Sequence, residues 1–376
     1  MTNRPHICFI SDTLHTYFGS GIEPGTGGAE RQQYMLATGL RDLGYEISIA
    51  TLDYDQARRD RVNRIDVWRV IPDVRGVPRA PYKAWKTIRG LREIDADVYY
   101  VRGNDLLCMI AALHTSLADA SFVYAVANDA NVDPELLARQ GVFRHPFLLA
   151  MRTADRVVAQ THHQQELLIS EHDVEAPRIP NGYEIPEESE VVPHSDRGYV
   201  LWVGSMDPTQ KRPDRFLDLA RELPDVPFRM IGPPDNDAPG HFDEIETEAA
   251  DIPNLEFLGF VDPHEIHEHY RSAIALVNTS DYEGFPNVFL EAWRYATPVV
   301  SLYHSLDGVL DEQPVGTHAG SMDALVDAVD HISSDVSLRQ ELGDGGREHM
   351  IENYSFDQLL DRYERVFEEV YQESRS

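Results

Sequence analysis

The sequence predicts an α/β protein of two doubly wound domains, each built on a parallel sheet. Three observations carry that expectation. The chain has 376 residues, and at about 150 residues per domain this length suggests two domains. Short apolar runs alternate with helical stretches, the rhythm of βαβ units. The rhythm breaks once, at residues 177–198 (PRIPNGYEIPEESEVVPHSDRG), where four prolines and many acids leave no periodic apolar face.

The elements follow in order. Ile7–Ile10, Ile47–Thr51, Val67–Ile71, Val98–Val101, Phe122–Val126 and Arg156–Gln160 read as buried parallel strands, with helices near 28–42, 82–94, 104–118 and 134–151. After the break, Val200–Val203, Phe228–Ile231, Leu255–Leu258, Ala275–Val277 and Val299–Ser301 form a second series, with helices near 212–222, 263–272, 287–296 and 321–333. The expected architecture is two Rossmann-like domains, residues 1–185 and 199–355, joined by a linker at 186–198. A ligand is expected in the cleft between them. The last stretch, 356–376, is helical to about 373, has no strand after it, and is expected to cross back onto the first domain.

Composition narrows the function. With 42% hydrophobic residues the chain can bury a core, so disorder is excluded as its general state. A net charge of −31 argues against nucleic acid as a partner. Cys8 and Cys108 supply neither a disulfide framework nor a metal-ligand spacing. Only three lysines (Lys83, Lys86, Lys211) stand beside 30 arginines, and 35 Asp beside 29 Glu. That acidic, lysine-poor balance resembles halophilic, archaeal proteins working in near-molar salt, where a Debye length of about 3 Å screens like charges. Residues 1–11 show no signal-peptide core, and no run of about 20 apolar residues occurs. The expected location is the cytoplasm, or the cytoplasmic face of a membrane as a peripheral protein.

The charge is uneven. Residues 57–92 hold 11 basic and three acidic side chains. On a helix over 79–92, Arg79, Lys83, Lys86 and Arg89 fall on one side and Ala84, Ile88 and Leu91 on the other, with Trp85 at the border. A basic amphipathic helix with an interfacial aromatic suits an anionic membrane surface or a membrane-bound acceptor. The alternative is a helix packed by its apolar side with solvated arginines.

The most informative stretch is 281–300, DYEGFPNVFLEAWRYATPVV. It follows a strand. Gly284 permits close backbone approach, Pro286 suits a first helical turn and Asn287 can cap or bind. A helix starting near Pro286 presents unpaired N–H groups to an anion. Glu283 stands just before that start and Glu291 inside it, so one carboxylate could hold hydroxyls on each side of a bound diphosphate.

These residues resemble the signature of the retaining family 4 glycosyltransferases, which have the GT-B fold. The resemblance implies that Glu283, with Gly284, Phe285, Pro286, Asn287 and Val288, holds the donor sugar and diphosphate, and that Glu291 holds the nucleotide ribose. A second match, VGSMDPTQKRPDRFLDLA (203–220), resembles the family's phosphate-clamp strand and loop at Gly204 and Ser205, with Lys211 in the place of its phosphate-binding lysine. Lys211 is also the one lysine of the acidic half and is expected to be exposed. The family usually has arginine where this chain has Ser205, so one cation of the clamp is missing or replaced, with Arg212 the candidate. A third match is the glycine-rich loop of Gly27, Gly28 and Glu30, and further agreement comes from ADRVVAQTHHQQELL (154–168) and RIPNGYE (178–184). Many relatives carry a histidine after the fifth strand, where this chain has YAVANDANVDP (124–134), with Asn128 and Asp129.

The resemblance implies transfer of a sugar from a nucleotide-diphosphate sugar to the hydroxyl of a glycan or lipid-linked acceptor. Configuration is retained, and Lys211, Glu283 and Arg212 form the catalytic group. Domain closure would exclude water. No cofactor and no metal are expected, and His264, His267 and His269 lie on a helix expected to face solvent. Two other readings stay open from the sequence, a nucleotide-sugar epimerase of the same fold and a nucleotide-sugar-binding protein without activity.

Overall fold

A computed structural model describes residues 4–18, 28–53, 57–74, 76–138, 141–235, 238–262 and 265–375. The chain folds as two compact units, residues 1–180 with 359–376, and residues 181–358.

The first unit is a seven-stranded sheet. Its strands are β1 (His6–Ile10), β2 (Glu46–Asp53), β3 (Arg59–Val62), β4 (Ile65–Pro72), β5 (Val98–Arg102), β6 (Ser121–Ala125) and β7 (Arg156–Val158), in the order β3-β4-β2-β1-β5-β6-β7. All pair in parallel except β3, which lies antiparallel to β4. β1, β5 and β6 are buried almost throughout, because crossover helices cover both faces of a parallel sheet. Those helices are α1 (Gly28–Asp42), α2 (Ala80–Ile94), α3 (Asp105–Thr115), α4 (Pro134–Ala138), α5 (Arg144–Arg152) and α6 (His162–His172). Local chemistry sets their ends. Asn104 caps α3 by accepting the Leu107 N–H at 3.0 Å, Thr161 caps α6 through Gln164 at 3.1 Å, and Asp95 closes α2 in a left-handed conformation.

The second unit is a fully parallel six-stranded sheet of β8 (Tyr199–Val203), β9 (Phe228–Ile231), β10 (Leu255–Gly259), β11 (Ala273–Asn278), β12 (Val299–Ser301) and β13 (Gly316–His318), in the order β10-β9-β8-β11-β12-β13. Its helices are α7 (Pro213–Glu222), α8 (Pro239–Ala250), α9 (Ile266–Arg271), α10 (Asn287–Trp293), α11 (Val309–Glu312), α12 (Met322–Ser334) and α13 (Val336–Asn353). The strand order reverses beside β8, between it and β11, and the loops leaving those two strands meet there.

The final helix, α14 (Phe356–Glu373), buries Leu359, Tyr363, Val366, Phe367, Val370 and Tyr371, a stripe at helical spacing. That stripe packs on the first unit, as the sequence predicts. The Tyr363 ring meets Tyr100 edge-on at 5.8 Å, and the Ser121 hydroxyl donates to the Val370 carbonyl at 3.1 Å.

Several elements differ from expectation. The predicted helix 134–151 is two helices, α4 and α5, with Gly141 at φ +60° between them. β3 reads RDRV, three of its four residues exposed, and so gives no apolar signal. α8 and α13 were not expected. α13 contains Gly343, Gly345 and Gly346, which lets it pack tightly: side chains at 343 and 346 would collide with the Ala296 carbonyl and the Trp293 ring. Residues 181–198, taken from sequence partly as a linker, are pinned within the second unit. Buried Arg197 donates to the Tyr295 and Ala273 carbonyls, Arg339 to the His194 carbonyl and Arg347 to the Pro186 carbonyl. The unit boundaries fall at 180/181 and 358/359, against 185 and 355 in the sequence reading.

Candidate functional site

Two loops build the site, both at strand ends beside the reversal of the second sheet. One leaves β8 and runs from Gly204 to Arg212. The other leaves β11 and runs from Thr279 to Pro286. Hydrogen bonds sew them to each other and to β8. The Trp202 indole donates to the Thr279 hydroxyl at 2.9 Å, and that hydroxyl lies 2.8 and 2.9 Å from the carbonyls of Lys211 and Arg212. The Asp281 N–H donates to the Gln210 carbonyl at 2.9 Å, and the Gln210 amide to the Tyr282 carbonyl at 3.2 Å. Asp207 folds the first loop on itself by accepting from Thr209 and Gln210 N–H groups.

This stitching brings Lys211 against Glu283. The Lys211 ammonium lies 2.7 and 2.8 Å from the two oxygens of the Glu283 carboxylate. The carboxylate is only 6% exposed. Its Oε1 also accepts from the Ser280 hydroxyl at 2.7 Å and from the Asn278 amide at 3.2 Å. Burial alone would raise the Glu283 pKa. The Lys211 charge and hydrogen bond, with the Ser280 hydroxyl, outweigh it and hold the carboxyl below its ordinary range. The site is therefore an ionised buried carboxylate whose counter-ion sits on a more exposed loop. The expectation of an exposed Lys211 is corrected accordingly: its side chain is 25% exposed and bound to Glu283.

Arg212 adopts φ +52° at the start of α7. Its guanidinium grips Asp214 through two bonds, 2.9 and 2.6 Å, and reaches Asp281 at 3.4 Å. Asp281 is shared with Arg215 at 2.7 Å. The arrangement gives the guanidinium two carboxylate partners of its own. Ser205 and Gly204 lie half-buried at the end of β8. A Cβ at Gly204 would press on the Trp202 ring at 2.9 Å. Gly232, which the sequence did not single out, is required more strictly, since a Cβ there would lie 1.6 Å from the Gly204 carbonyl oxygen.

α10 begins at Asn287, with no side-chain cap. Asn287 is not turned to a free site: its side-chain oxygen accepts from buried Asn181 of the I-P-N-G segment at 2.7 Å. Phe285 is buried edge-on to Tyr354 at 5.8 Å. Gly284 and Pro286 are also buried, Val288 is half-buried, and Glu291 is buried one turn into α10.

In the first unit, Gly28 opens α1, while Gly27 lies outside the described residues. On α2, Trp85 and Tyr82 are 60% and 49% exposed, and Arg79 and Arg89 are exposed. The two lysines are held in ion pairs instead. Lys83 pairs with Asp12 and Lys86 with Asp53, each at 3.2 Å. The basic side of α2 is thus carried by its arginines and aromatics. His264 lies outside the described residues. His267 faces Glu268 at 3.2 Å and His269 faces Arg229 at 3.2 Å.

Two parallel-sheet units, each of Rossmann type, with a C-terminal helix returning to the first, define a GT-B protein. Residues 26–185 match the family model described as Glycosyltransferase Family 4, and residues 197–335 match Glycosyl transferases group 1. Each match takes in less than half of the chain, and the two together describe a pair of glycosyltransferase domains. It is 24% identical over 303 residues to an exopolysaccharide phosphotransferase of Streptomyces coelicolor, a match covering 75% of this chain and 29% of that protein. The chain likewise spans less than half the length of the other curated relatives it matches. Among solved structures, sucrose-phosphate synthase of Thermosynechococcus elongatus superposes with a TM-score of 0.80 at 17% identity, covering 98% of this chain and all of that one. Anabaena HepE, solved with UDP and glucose, gives 0.76 at 17% identity, covering 97% of this chain and all of that one. At these identities the likeness speaks for the fold. Among the described residues, no helix is long and apolar enough to cross a membrane.

Proposed function

We propose that the protein is a retaining, metal-independent glycosyltransferase that uses a nucleotide-diphosphate sugar. The observation that carries this reading is the buried Glu283 carboxylate bridged on both oxygens by Lys211. A carboxylate held ionised in a buried loop is a hydrogen-bond acceptor for sugar hydroxyls. The ammonium beside it is a mobile point charge suited to a departing diphosphate. In the proposed reaction the C1–O bond to the diphosphate breaks, the acceptor oxygen bonds to C1 from the same face, and the acceptor proton passes to the diphosphate. Glu291 is assigned to the ribose and the loop from Gly284 to Val288 to the sugar and diphosphate. Arg212 requires release from Asp214 to act as a second cation.

The acceptor is proposed to be a lipid-linked or surface glycan precursor. The exposed Tyr82 and Trp85 beside Arg79 and Arg89 support docking on an anionic membrane face. The charge balance supports a halophilic, archaeal source with molar salt inside the cell.

The test is transfer from a panel of nucleotide sugars in molar KCl, with and without EDTA, followed by NMR of the product anomer. Transfer with retained configuration and no loss in EDTA is expected. An inverted product would overturn the retaining assignment, and conversion of donor without any acceptor would favour an epimerase. Co-sedimentation with anionic vesicles at low and high salt tests the docking; equal recovery with neutral vesicles would count against it.

A further inference from the structure

Asp12 follows β1 by two residues, and Asn104 follows β5 by two residues. The strand order of the first sheet reverses between β1 and β5, so both stand at its switch point, where open parallel sheets take their ligands. Three elements converge on Asp12. From α2 the Lys83 ammonium donates to its Oδ1 at 3.2 Å, and from the cap of α3 the Asn104 amide donates to its Oδ2 at 3.1 Å. The main chain is fixed by β2: the Asp12 carbonyl accepts from the Thr51 hydroxyl at 3.0 Å and from the Leu52 N–H at 3.4 Å.

Lysine is a marked choice at this position. The chain has three lysines beside 30 arginines, and each lysine is bound to a carboxylate at or after the carboxyl end of a strand. Lys83 holds Asp12 after β1, Lys86 holds Asp53 at the end of β2, and Lys211 holds Glu283 after β11. Arginine behaves differently here. Arg41 and Arg212 each take both oxygens of an aspartate, Asp42 and Asp214, a fork that leaves the carboxylate little capacity for a ligand. At Asp12 one oxygen goes to Lys83 and the other to Asn104, so each keeps a lone pair, and the ammonium keeps two N–H donors beyond the Asp12 bond. The pair is sheltered and still reachable, with side-chain exposures of 12% for Lys83 and 25% for Asp12. Stability does not account for it, because apolar residues of similar size replace a sheltered ion pair at little or no cost.

We propose that Asp12 and Lys83 form a sugar-binding site in the first unit, with Asn104 holding the carboxylate in place. Asp12 accepts from one hydroxyl of the sugar, and Lys83 donates to the neighbouring hydroxyl. Adjacent acceptor and donor groups match a vicinal diol, in which each hydroxyl can donate and accept. A free phosphate fits less well, because it would face the Asp12 charge. Taking this sugar to be the acceptor of transfer rests on the glycosyltransferase reading; the site itself does not.

The experiment is a saturation-transfer NMR titration in molar KCl with the methyl glycosides of glucose, mannose and galactose, with inorganic phosphate, and separately with UDP, GDP, ADP and TDP. At least one glycoside is expected to bind the wild type. Asp12→Asn and Lys83→Ala should each weaken it roughly tenfold, the order of one hydrogen bond to a charged group, and leave nucleotide binding unchanged. Lys83→Arg keeps the charge and the ion pair, yet should lose as much, because its fork takes both Asp12 oxygens. That variant decides the matter if Lys83→Ala fails to fold, since a merely structural pair would tolerate it. Binding of no glycoside, undiminished glycoside affinity in Asp12→Asn or Lys83→Arg, or phosphate binding that strengthens in Asp12→Asn would overturn the site. Nucleotide binding without glycoside binding removes this site alone. Glycoside binding with the expected losses, but with no nucleotide bound, keeps the site and removes the transferase reading.

Discussion

At the scale of single residues, the account turns on one buried carboxylate and its counter-ion. Removing a partner from such a pair leaves an uncompensated buried charge. Lys211→Ala should therefore lower both turnover, by roughly 10²–10³-fold, and stability, by about 2 kcal/mol. Lys211→Ala with Glu283→Gln should regain the stability, measured by urea unfolding, while turnover stays low. A single Lys211→Ala as stable as wild type would show that the pair is not formed in solution. The pH dependence follows with a definite sign. The folded pKa of Glu283 is lowered, so its stabilising contribution is complete above the unfolded value of about 4.3. It is lost as pH falls through the lower folded value. The stability difference between wild type and Glu283→Gln should be flat from pH 7 to 5 and shrink below about pH 4. Chemically distinctive residues at this scale were legible. Glu283, Lys211 and Glu291 stand out by type, spacing and motif. Asn278 and Ser280 were not, because neutral polar side chains acquire meaning only when the sheet brings strand ends together. Nor did the sequence show that Lys211 and Glu283, 72 residues apart, would pair.

At the scale of elements, the parallel strands were legible because burial on both faces leaves unbroken apolar runs. β3 and α13 were hidden for opposite reasons, the one by polar exposed residues and the other by three glycines whose purpose is close packing. The loops of the site depend on similar close approach between β8 and β9. Gly232→Ala would drive a Cβ into the Gly204 carbonyl. It should cost about 2–3 kcal/mol and displace the loop that carries Lys211. Gly240→Ala is the control, because a Cβ there meets nothing within 4 Å. Equal melting temperatures for the two variants would contradict the close approach.

At the scale of the molecule, residues 193–376 carry 13 basic and 37 acidic side chains. Screening should therefore support folding. The Debye length rises from about 3 Å at 1 M salt to about 10 Å at 0.1 M, so dilution from molar KCl should lower the melting temperature by several degrees. A melting temperature independent of salt would contradict the halophilic reading. The fold itself was legible at this scale from length, rhythm and the single break, including the return of the last helix. The site boundary was less so, because the segment after the break is pinned to the second unit by buried arginines that give no sequence signal of their own.

The most direct test of the central claim is a melting-temperature panel in molar KCl with UDP, GDP, ADP and TDP and their sugars, for wild type and Glu283→Gln. A ligand at 100 times its dissociation constant adds about 2.7 kcal/mol, a shift of a few degrees. One nucleotide sugar is expected to raise the wild-type melting temperature beyond its own nucleoside diphosphate, with that extra shift absent in Glu283→Gln. No shift from any nucleotide in the folded wild type, or an undiminished sugar-dependent shift in Glu283→Gln, would contradict the assignment of the Lys211–Glu283 pair to a donor sugar.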